Sequence, residues 1–257
     1  MVENSNDNNV ELSSNPLLLF DSAGNAGETG NIIDGETERT KRFAALYQNT
    51  ISDFIKKPHV VIGCGAIGGY VIKVLGQIGI DNLTLWDDDI VETVNLGPQG
   101  FFEEYVDELK TEARGNEFYD LNSNGEIVLE STKFKKHHDH PPDAFWWMCV
   151  DTLDAREFIY KAIMDFEPFK IIDTRMGGLN YEIYAPAVEK LLPWTEDRYI
   201  KTIEDARDNL VQESCTTRST PHTAMLAASI GINMALTKNP PFAIKGNMMT
   251  YKQDTTW

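Results

Sequence analysis

Three glycines at fixed spacing are the first residues of this chain that could do chemistry. Gly63, Gly65 and Gly68 lie in the stretch VVIGCGAIGG, between an apolar run and a segment with apolar residues at helical spacing. This order predicts a strand, a tight turn and a helix. The first glycine permits the bend, the second admits a phosphate near the backbone, and the third lets the helix pack on the strand. Because a helix N-terminus attracts anions, we expect a phosphate-bearing ligand over the turn.

A second run, WDDDIVETVNLGPQGF, bears on which ligand that is. Asp87 follows the glycines by about 20 residues, the place where a carboxylate binds the ribose of a nicotinamide cofactor. Asp89, Asn95, Gln99 and Lys110 then follow, which is more than one ribose contact requires. Each of these residues alone also fits an ordinary solvated loop, turn or exposed helix position.

Two further charged residues are predicted near the same ligand. Asp151, in CVDTLDAR, follows the apolar run FWWMCV, where a carboxylate is costly unless it meets a cation or a metal ion. Arg175 ends the predicted strand KIIDTRM, so it could face the ligand. An ion pair with Asp173 is the alternative for Arg175.

The cysteines and histidines give weaker indications. Cys215 lies in the polar stretch SCTTRSTPH, where Arg218 and His222 could lower its pKa and make it a nucleophile. An unreactive thiol fits Cys215 equally well, and Cys64 and Cys149 are expected to be packing residues. The cluster HHDH, at positions 137–140, lacks ordered ligand spacing and is interpreted as a loop rather than a metal site.

Composition restricts the class of protein. The 257 residues carry a formal charge of −17, which disfavours nucleic acid as a partner. No apolar run approaches the roughly 20 residues of a membrane span, and the polar first nine residues predict no secretory signal. The three cysteines form no C-x-x-C pair, so we expect neither a disulfide framework nor a four-cysteine zinc site. The sequence thus predicts a cytoplasmic protein without a membrane partner.

The elements that must position these residues alternate between strand and helix. Residues 1–35 are interpreted as an acidic disordered arm, whose PLLLF patch is either a docking motif or a patch resting on the protein's own surface. Residues 36–257 are interpreted as one domain that begins with a helix over 38–56. Helices are predicted around Val71, over EYVDELKTEARGNEFYD, REFIYKAIMDF and TAMLAASIGINMAL. Strands are predicted in HVVIG, NLTLWDDD, EIVLEST, AFWWMCVD, KIIDTRM and NYEIYAP.

This alternation predicts an α/β fold with a doubly wound, mostly parallel, Rossmann-like sheet and helices on both faces. Ligands of such sheets bind at the carboxyl ends of the strands. The glycine turn and the acidic residues after the second strand would therefore meet at one edge.

Taken together, the glycine turn, the D-x-D-x-V strand end, the N-L-x-x-Q stretch and the helical lysine resemble the ThiF/MoeB/HesA family. These are Rossmann-like adenylating enzymes that include the ubiquitin-activating enzymes. The resemblance covers residues 38 to 236, roughly, and several spaced motifs match in order. It implies an ATP-dependent adenylyltransferase that activates the C-terminal carboxylate of a small ubiquitin-like or sulfur-carrier protein.

The resemblance also implies roles in nucleotide binding. Asp87 would hold the ribose, with Asp89 beside it. Asn95 and Gln99 would line the phosphates, and Lys110 would lie against the triphosphate.

Further roles follow from the same resemblance. Asp151, with Arg156 five residues later, would help hold Mg²⁺. Arg42, in RTKRF, would reach the nucleotide of a second subunit, which implies a homodimer. Cys215 would accept the activated carrier as a thioester or persulfide.

Departures from the family pattern define the alternatives. Pro98 stands where the family has the arginine of N-L-x-R-Q, and proline offers neither charge nor N–H. Either Arg175 or a partner's Arg42 replaces that arginine, or the protein binds a nucleotide or a protein partner without adenylating it. A nicotinamide or flavin oxidoreductase is the third alternative. The zinc-binding cysteines of some members are absent, and the length fits a compact, bacterial- or phage-like member.

Overall fold

The structure is a computed structural model that describes residues 39–40, 43, 46–47, 50–188, 197–208 and 219–257. The interpreted N-terminal arm, Arg42, Cys215 and Arg218 lie outside the described residues.

A single sheet of eight strands organises the described part of the chain. Its strands are β1 (His59–Ile62), β2 (Asn82–Trp86), β3 (Glu126–Glu130), β4 (Phe145–Met148), β5 (Lys170–Gly177), β6 (Asn180–Tyr184), β7 (Ala243–Asn247) and β8 (Lys252–Thr256). The strand order is β3-β2-β1-β4-β5-β6-β7-β8. The first five strands in this order pair in parallel, and β6, β7 and β8 each pair antiparallel with the strand before them. The predicted mostly parallel α/β class is confirmed.

Helices cover both faces of the sheet. They are α1 (Ile51–Lys56), α2 (Ala66–Ile78), α3 (Leu96–Gln99), α4 (Lys110–Leu121), α5 (Leu153–Ile163), α6 (Arg198–Asp208) and α7 (Pro221–Leu236). The core on one face includes side chains of α2 and α7, and the core on the other includes side chains of α5 and α6. Burial of these apolar stripes is the main source of stability, at about 25 cal/mol per Å².

A buried histidine joins α1 to the centre of the sheet. Trp147 donates its indole N–H to Nδ1 of His59 over 3.1 Å, so Nε2 carries the proton and donates to the carbonyl of Phe54 over 2.7 Å. The ring stacks on Phe145 with a centroid separation of 4.7 Å. Burial lowers the pKa of His59 to about 4, against the opposing effect of the hydrogen bond to Phe54.

Strand register brings three connections to one edge. Ile62 pairs with both Trp86 and Met148, so β1, β2 and β4 end side by side. The glycine turn, Asp87 and the residues before Asp151 therefore leave the sheet at the same edge, as predicted.

Several element boundaries differ from the prediction. The helix predicted from Glu104 begins only at Lys110, because the preceding residues form a 3-10 turn (Glu103–Tyr105) and a loop. Of the helix predicted over 38–56, the described continuous part is α1. Strands β7 and β8 and helix α6 were not predicted. In α6 the buried side chains Tyr199 and Ile203 lie four residues apart, and this spacing was the signal that the sequence offered. None of the described helices is long and apolar enough to cross a membrane.

Candidate active site

The glycine turn between β1 and α2 has no room for side chains at two positions. Gly63 has φ +94°, and a Cβ added there would lie 2.7 Å from the carbonyl oxygen of Cys149. A Cβ added at Gly68 would overlap the carbonyl oxygen of Gly63. The bend and the close helix–strand packing assigned to these glycines are thus geometric requirements.

Asp87 is tied directly to this turn. Its Oδ2 accepts the backbone N–H of Cys64 over 2.6 Å, and its Oδ1 accepts the N–H of Asp89 over 2.9 Å. Burial raises the pKa of Asp87, while these two N–H donors and Lys110 oppose the rise. The carboxylate retains lone pairs beyond these two bonds, so hydroxyl donors of a ribose could still bind it.

Lys110 and Asp89 form an ion pair beside Asp87. Nζ of Lys110 lies 2.7 Å from Oδ2 of Asp89, and the backbone N–H of Lys110 donates to the carbonyl of Asp89 over 3.0 Å. The lysine side chain is 7% exposed and the aspartate side chain 65% exposed. Helix α4 begins at Lys110, so its first residue brings a nearly buried cation to the acidic loop.

Gln99 faces the second glycine of the turn. Its Oε1 is buried and has no hydrogen-bond partner among the described residues. A Cβ added at Gly65 would lie 3.4 Å from that atom, so the glycine leaves space beside an unsatisfied amide. A buried acceptor without a donor is costly, and a ribose hydroxyl or an adenine amino group of a nucleotide over the turn could donate to it. The residues present therefore fit a nucleotide.

Asn95 has a structural role in the same loop. Its Oδ1 accepts the N–H of Glu92 over 3.0 Å, and the two residues form a reciprocal capping box around a 3-10 turn (Thr93–Asn95). Its predicted contact with phosphate remains a prediction.

Arg114 is a site residue that the sequence did not reveal. Its guanidinium donates to the carbonyls of Gln99 and Cys64 over 2.6 and 3.3 Å, and it pairs with Glu117 over 2.7 Å. It also lies over the ring of Phe101, with Cζ 3.7 Å from the centroid. Arg114 thus ties α4 to the glycine turn and to α3. Its position four residues after Lys110, on the same helix face, was the available signal.

Asp151 is placed at the expected edge but in a different environment. It lies three residues beyond β4 and is exposed, so the burial cost inferred from the apolar run is wrong. It forms no hydrogen bond or ion pair with the described residues, which leaves its carboxylate available for a cation. Arg156 is buried, and its guanidinium binds the carbonyl of Val150 and the carboxylate of Asp173. Arg156 therefore fixes the segment that carries Asp151.

Arg175 is engaged by Asp173. Its Nε donates to Oδ2 of Asp173 over 2.6 Å, and its Nη2 donates to the hydroxyl of Thr202 over 3.1 Å. Its guanidinium lies over the ring of Tyr184, 4.3 Å from the centroid, in the core of the face that α5 and α6 cover. This is the ion pair that was the alternative for Arg175. A phosphate role for it remains a prediction.

The two described cysteines are poor nucleophiles. Burial raises the pKa of Cys64 well above its usual range, and burial raises the pKa of Cys149 to about 12. Both thiols stay protonated near neutral pH, in agreement with the packing role predicted for them. Cys215 lies outside the described residues.

The HHDH stretch belongs to a loop packed on the sheet. His140 lies between Trp86 and Trp146, with ring centroids 5.7 and 5.4 Å away, and His138 pairs with Glu130 over 3.1 Å. No group of three His, Cys, Asp or Glu residues in the described ranges is placed to hold a metal ion.

Comparison with known proteins agrees with this architecture. The model of the ThiF family matches residues 39–253. The structure of E. coli MccB with ATP is 20% identical, has a TM-score of 0.62, and the match covers 86% of this chain and 72% of that chain. The microcin C7 biosynthetic enzyme MccB with N-formylated MccA is 20% identical, with a TM-score of 0.64 and coverages of 88% and 73%. PaaA is 16% identical, with a TM-score of 0.65 and coverages of 93% and 77%. No curated protein sequence matches significantly.

Proposed function

Because the chain belongs to the ThiF family, we propose that it uses ATP to adenylate the C-terminal carboxylate of a polypeptide. The enzyme class expected from the sequence, a ThiF/MoeB-like adenylyltransferase, agrees with this family. The proposal names ATP as the nucleotide, Mg²⁺ as its metal ion, and a small ubiquitin-like or sulfur-carrier protein as the substrate.

One observation carries the proposal. A glycine turn without room for side chains, a carboxylate bonded to that turn through the N–H of Cys64, and the nearly buried cation Lys110 meet at one edge of the sheet. The unsatisfied amide of Gln99 lies against the same turn. The ribose of a nucleotide is bound by a carboxylate, and its phosphates are bound by closely approaching backbone N–H groups and a cation.

The chemistry is the transfer of the adenylyl group of ATP to an oxygen of the substrate carboxylate. An oxygen of the substrate carboxylate bonds to the α-phosphorus, the bond from that phosphorus to the bridging oxygen of pyrophosphate breaks, and pyrophosphate leaves with the electron pair. The protein's part is to aim cations and N–H groups at oxygens that gain charge. Lys110 is assigned to the phosphates, and Asp151 to Mg²⁺, which would supply further positive charge.

Structural relatives support a polypeptide substrate. MccB is seen with MccA in the solved structures, and MccB is also seen with ATP. For this chain we assign the same general type of partner, a polypeptide that presents a free carboxyl terminus. Transfer of the activated carboxyl group to Cys215, in which the thiolate attacks the acyl carbon, a thioester forms and AMP leaves, is a further step that we propose on the family resemblance alone.

The reaction is tested by exchange of labelled pyrophosphate into ATP in the presence of a candidate carrier. Exchange should depend on Mg²⁺ and on the free carboxyl group of the carrier, and an amidated carrier is the matched control. Lys110→Ala and Asp151→Ala should each weaken MgATP binding in calorimetry by a few kcal/mol, the scale of a lost electrostatic stabiliser. Unchanged ATP affinity in both variants would show that the site is assigned wrongly.

A second function is a protein that binds a nucleotide or a polypeptide without adenylating it. Pro98 favours it, because this position in α3 offers no charge and no N–H, and because Arg175 is already bound to Asp173. Pro98→Arg distinguishes the two functions. Exchange that is absent in the parent and present in Pro98→Arg identifies a binding protein, whereas exchange in the parent identifies an enzyme.

A further inference from the structure

The segment from Asp87 to Leu109 forms a compact unit beside the candidate nucleotide site. Val91 exchanges backbone hydrogen bonds with the 107–108 stretch, since its N–H donates to the carbonyl of Glu108 and its carbonyl accepts the N–H of Asp107. A small core holds the unit together, and it is formed by Val91, Leu96, Phe101, Tyr105 and Ala113. Residues next to these core positions are therefore carried on one rigid support.

Three apolar side chains of this unit face solvent. Phe102 is 58% exposed, Val94 is 64% exposed and Ile90 is 46% exposed, although each lies one to three residues from a buried member of the small core. Exposed large apolar residues concentrated in one segment are typical of an interaction surface rather than of a solvated loop.

Charge specifies the partner of this surface. Between Asp87 and Leu109 the chain has eight acidic residues and no Lys, Arg or His. Neighbouring cations are already engaged, because Lys110 is paired with Asp89 and Arg114 with Glu117, while Lys133 lies 4.0 Å from Asp88. Five carboxylates of the unit form no ion pair with any described residue, and they belong to Glu92, Glu103, Glu104, Asp107 and Glu108.

We propose that the 87–109 unit is a docking surface for the substrate polypeptide, and that it recognises a segment carrying Lys or Arg side chains next to apolar ones. The inference rests on the proposed function, because it places the polypeptide whose carboxylate is activated. Apolar anchors on Phe102 and Val94 supply contact area, and the unpaired carboxylates attract the basic side chains and speed the encounter. The unit begins at Asp87, so a polypeptide bound to this surface lies close to the residues that we assign to the nucleotide.

Binding of a dye-labelled peptide to the full-length protein tests the surface without turnover. The probe is a short peptide of lysines and leucines with a free carboxyl terminus, and its counterpart has glutamate in place of lysine. At low ionic strength, anisotropy should show binding of the lysine peptide alone. Glu103→Gln/Glu104→Gln should weaken it about fivefold or more and reduce its salt dependence, and Phe102→Ser should weaken it by a similar factor.

Matched variants separate a docking surface from the general negative charge. Glu204→Gln/Asp208→Asn removes the same charge from exposed positions of α6, and Phe158→Ser removes a phenylalanine of similar exposure from α5. Each control should change the peptide affinity by less than about twofold. Charges far from the bound peptide are screened, and Phe158 lies outside the proposed surface. Equal losses of peptide affinity in the Glu103/Glu104 variant and the Glu204/Asp208 variant, or no loss in either, would overturn the inference.

The outcomes also separate this inference from the proposed function. MgATP binding and pyrophosphate exchange are measured on the same variants. Peptide binding that depends on the 87–109 unit, in a protein without exchange, would support the surface and refute adenylation. If exchange is retained and peptide affinity is unchanged in Glu103→Gln/Glu104→Gln and in Phe102→Ser, the docking surface alone is refuted.

Discussion

Asp89 and Lys110 illustrate how one residue controls another at the candidate site. The Lys110 ammonium is held 2.7 Å from the Asp89 carboxylate, so a polyphosphate must compete with Asp89 for this cation. We expect Asp89→Asn to change ATP binding differently from Lys110→Ala, because the amide still positions the lysine but no longer neutralises it. Since the polyphosphate then no longer competes with a carboxylate for Lys110, Asp89→Asn should increase the affinity for ATP by up to about tenfold, equivalent to about 1.4 kcal/mol. Calorimetry with ATP measures this, and a loss as large as that of Lys110→Ala would show that Asp89 itself serves the nucleotide.

Asp173 is a residue whose charge is required by its neighbours. It is fully buried between the guanidinium groups of Arg156 and Arg175, and it also accepts the hydroxyl of Tyr199 over 2.9 Å. Asp173→Asn would leave two buried guanidinium groups without their anion, which typically costs about 3–5 kcal/mol. Urea unfolding should show this loss of stability. Asp151→Asn, at an exposed carboxylate, is the control and should stay within about 0.5 kcal/mol of the parent.

His59 predicts an acid-dependent loss of stability. In the folded protein its pKa is lowered to about 4, whereas the pKa of the unfolded residue is near the ordinary value of 6.5. Between these values the unfolded chain binds a proton that the folded chain does not, so stability falls as the pH falls from 6.5 to about 4. The total effect is about 3 kcal/mol. The free energy of unfolding should no longer fall with pH over this range in His59→Gln. It should still fall in His222→Gln, which changes an exposed position of α7. An unchanged slope in His59→Gln would contradict the assignment.

At the scale of elements, the β1–α2 junction is the most sensitive to a single methyl group. A Cβ at Gly68 would overlap the backbone of Gly63, which cannot move aside as a side chain can, whereas nothing lies within 4 Å of a Cβ added at Gly97 in α3. Gly68→Ala should therefore destabilise the protein by about 1–3 kcal/mol or more, as overpacking does. Gly97→Ala should be neutral or slightly stabilising, since alanine favours helix. Thermal unfolding compares the two variants directly.

The elements also show which information the sequence contained. The parallel strands β1, β2, β4 and β5 were predictable because buried parallel strands are short apolar runs bounded by turns. Strand β8 was not, since Lys252–Thr256 is polar and exposed and shows no apolar alternation, although it forms a local hairpin with β7. Asp87 was predicted from its spacing to the glycine turn, and Lys110 from the family resemblance. The ion pair of Lys110 with Asp89 and the hub at Arg114 needed tertiary contacts that one sequence does not encode locally.

At the scale of the whole molecule, the family resemblance predicts a two-fold assembly. If Arg42 reaches a neighbouring nucleotide, each site needs two chains. Mixing Arg42→Ala chains with Lys110→Ala chains should then restore part of the exchange activity, because one hybrid site contains both residues. Light scattering at micromolar concentration should give the mass of a dimer. A monomer, or mixed variants as inactive as each alone, would remove the partner role of Arg42.

Trp86 has a practical consequence for following this protein in solution. Its indole is buried, its Nε1 has no hydrogen-bond partner among the described residues, and its carbonyl accepts the N–H of Gly63 over 2.8 Å. An indole in such apolar surroundings emits at shorter wavelengths than a hydrated one such as Trp257, which is largely exposed. Because Trp86 immediately precedes Asp87, occupation of the glycine turn should alter the blue side of the emission spectrum, and the Trp86→Phe protein should lack that optical response.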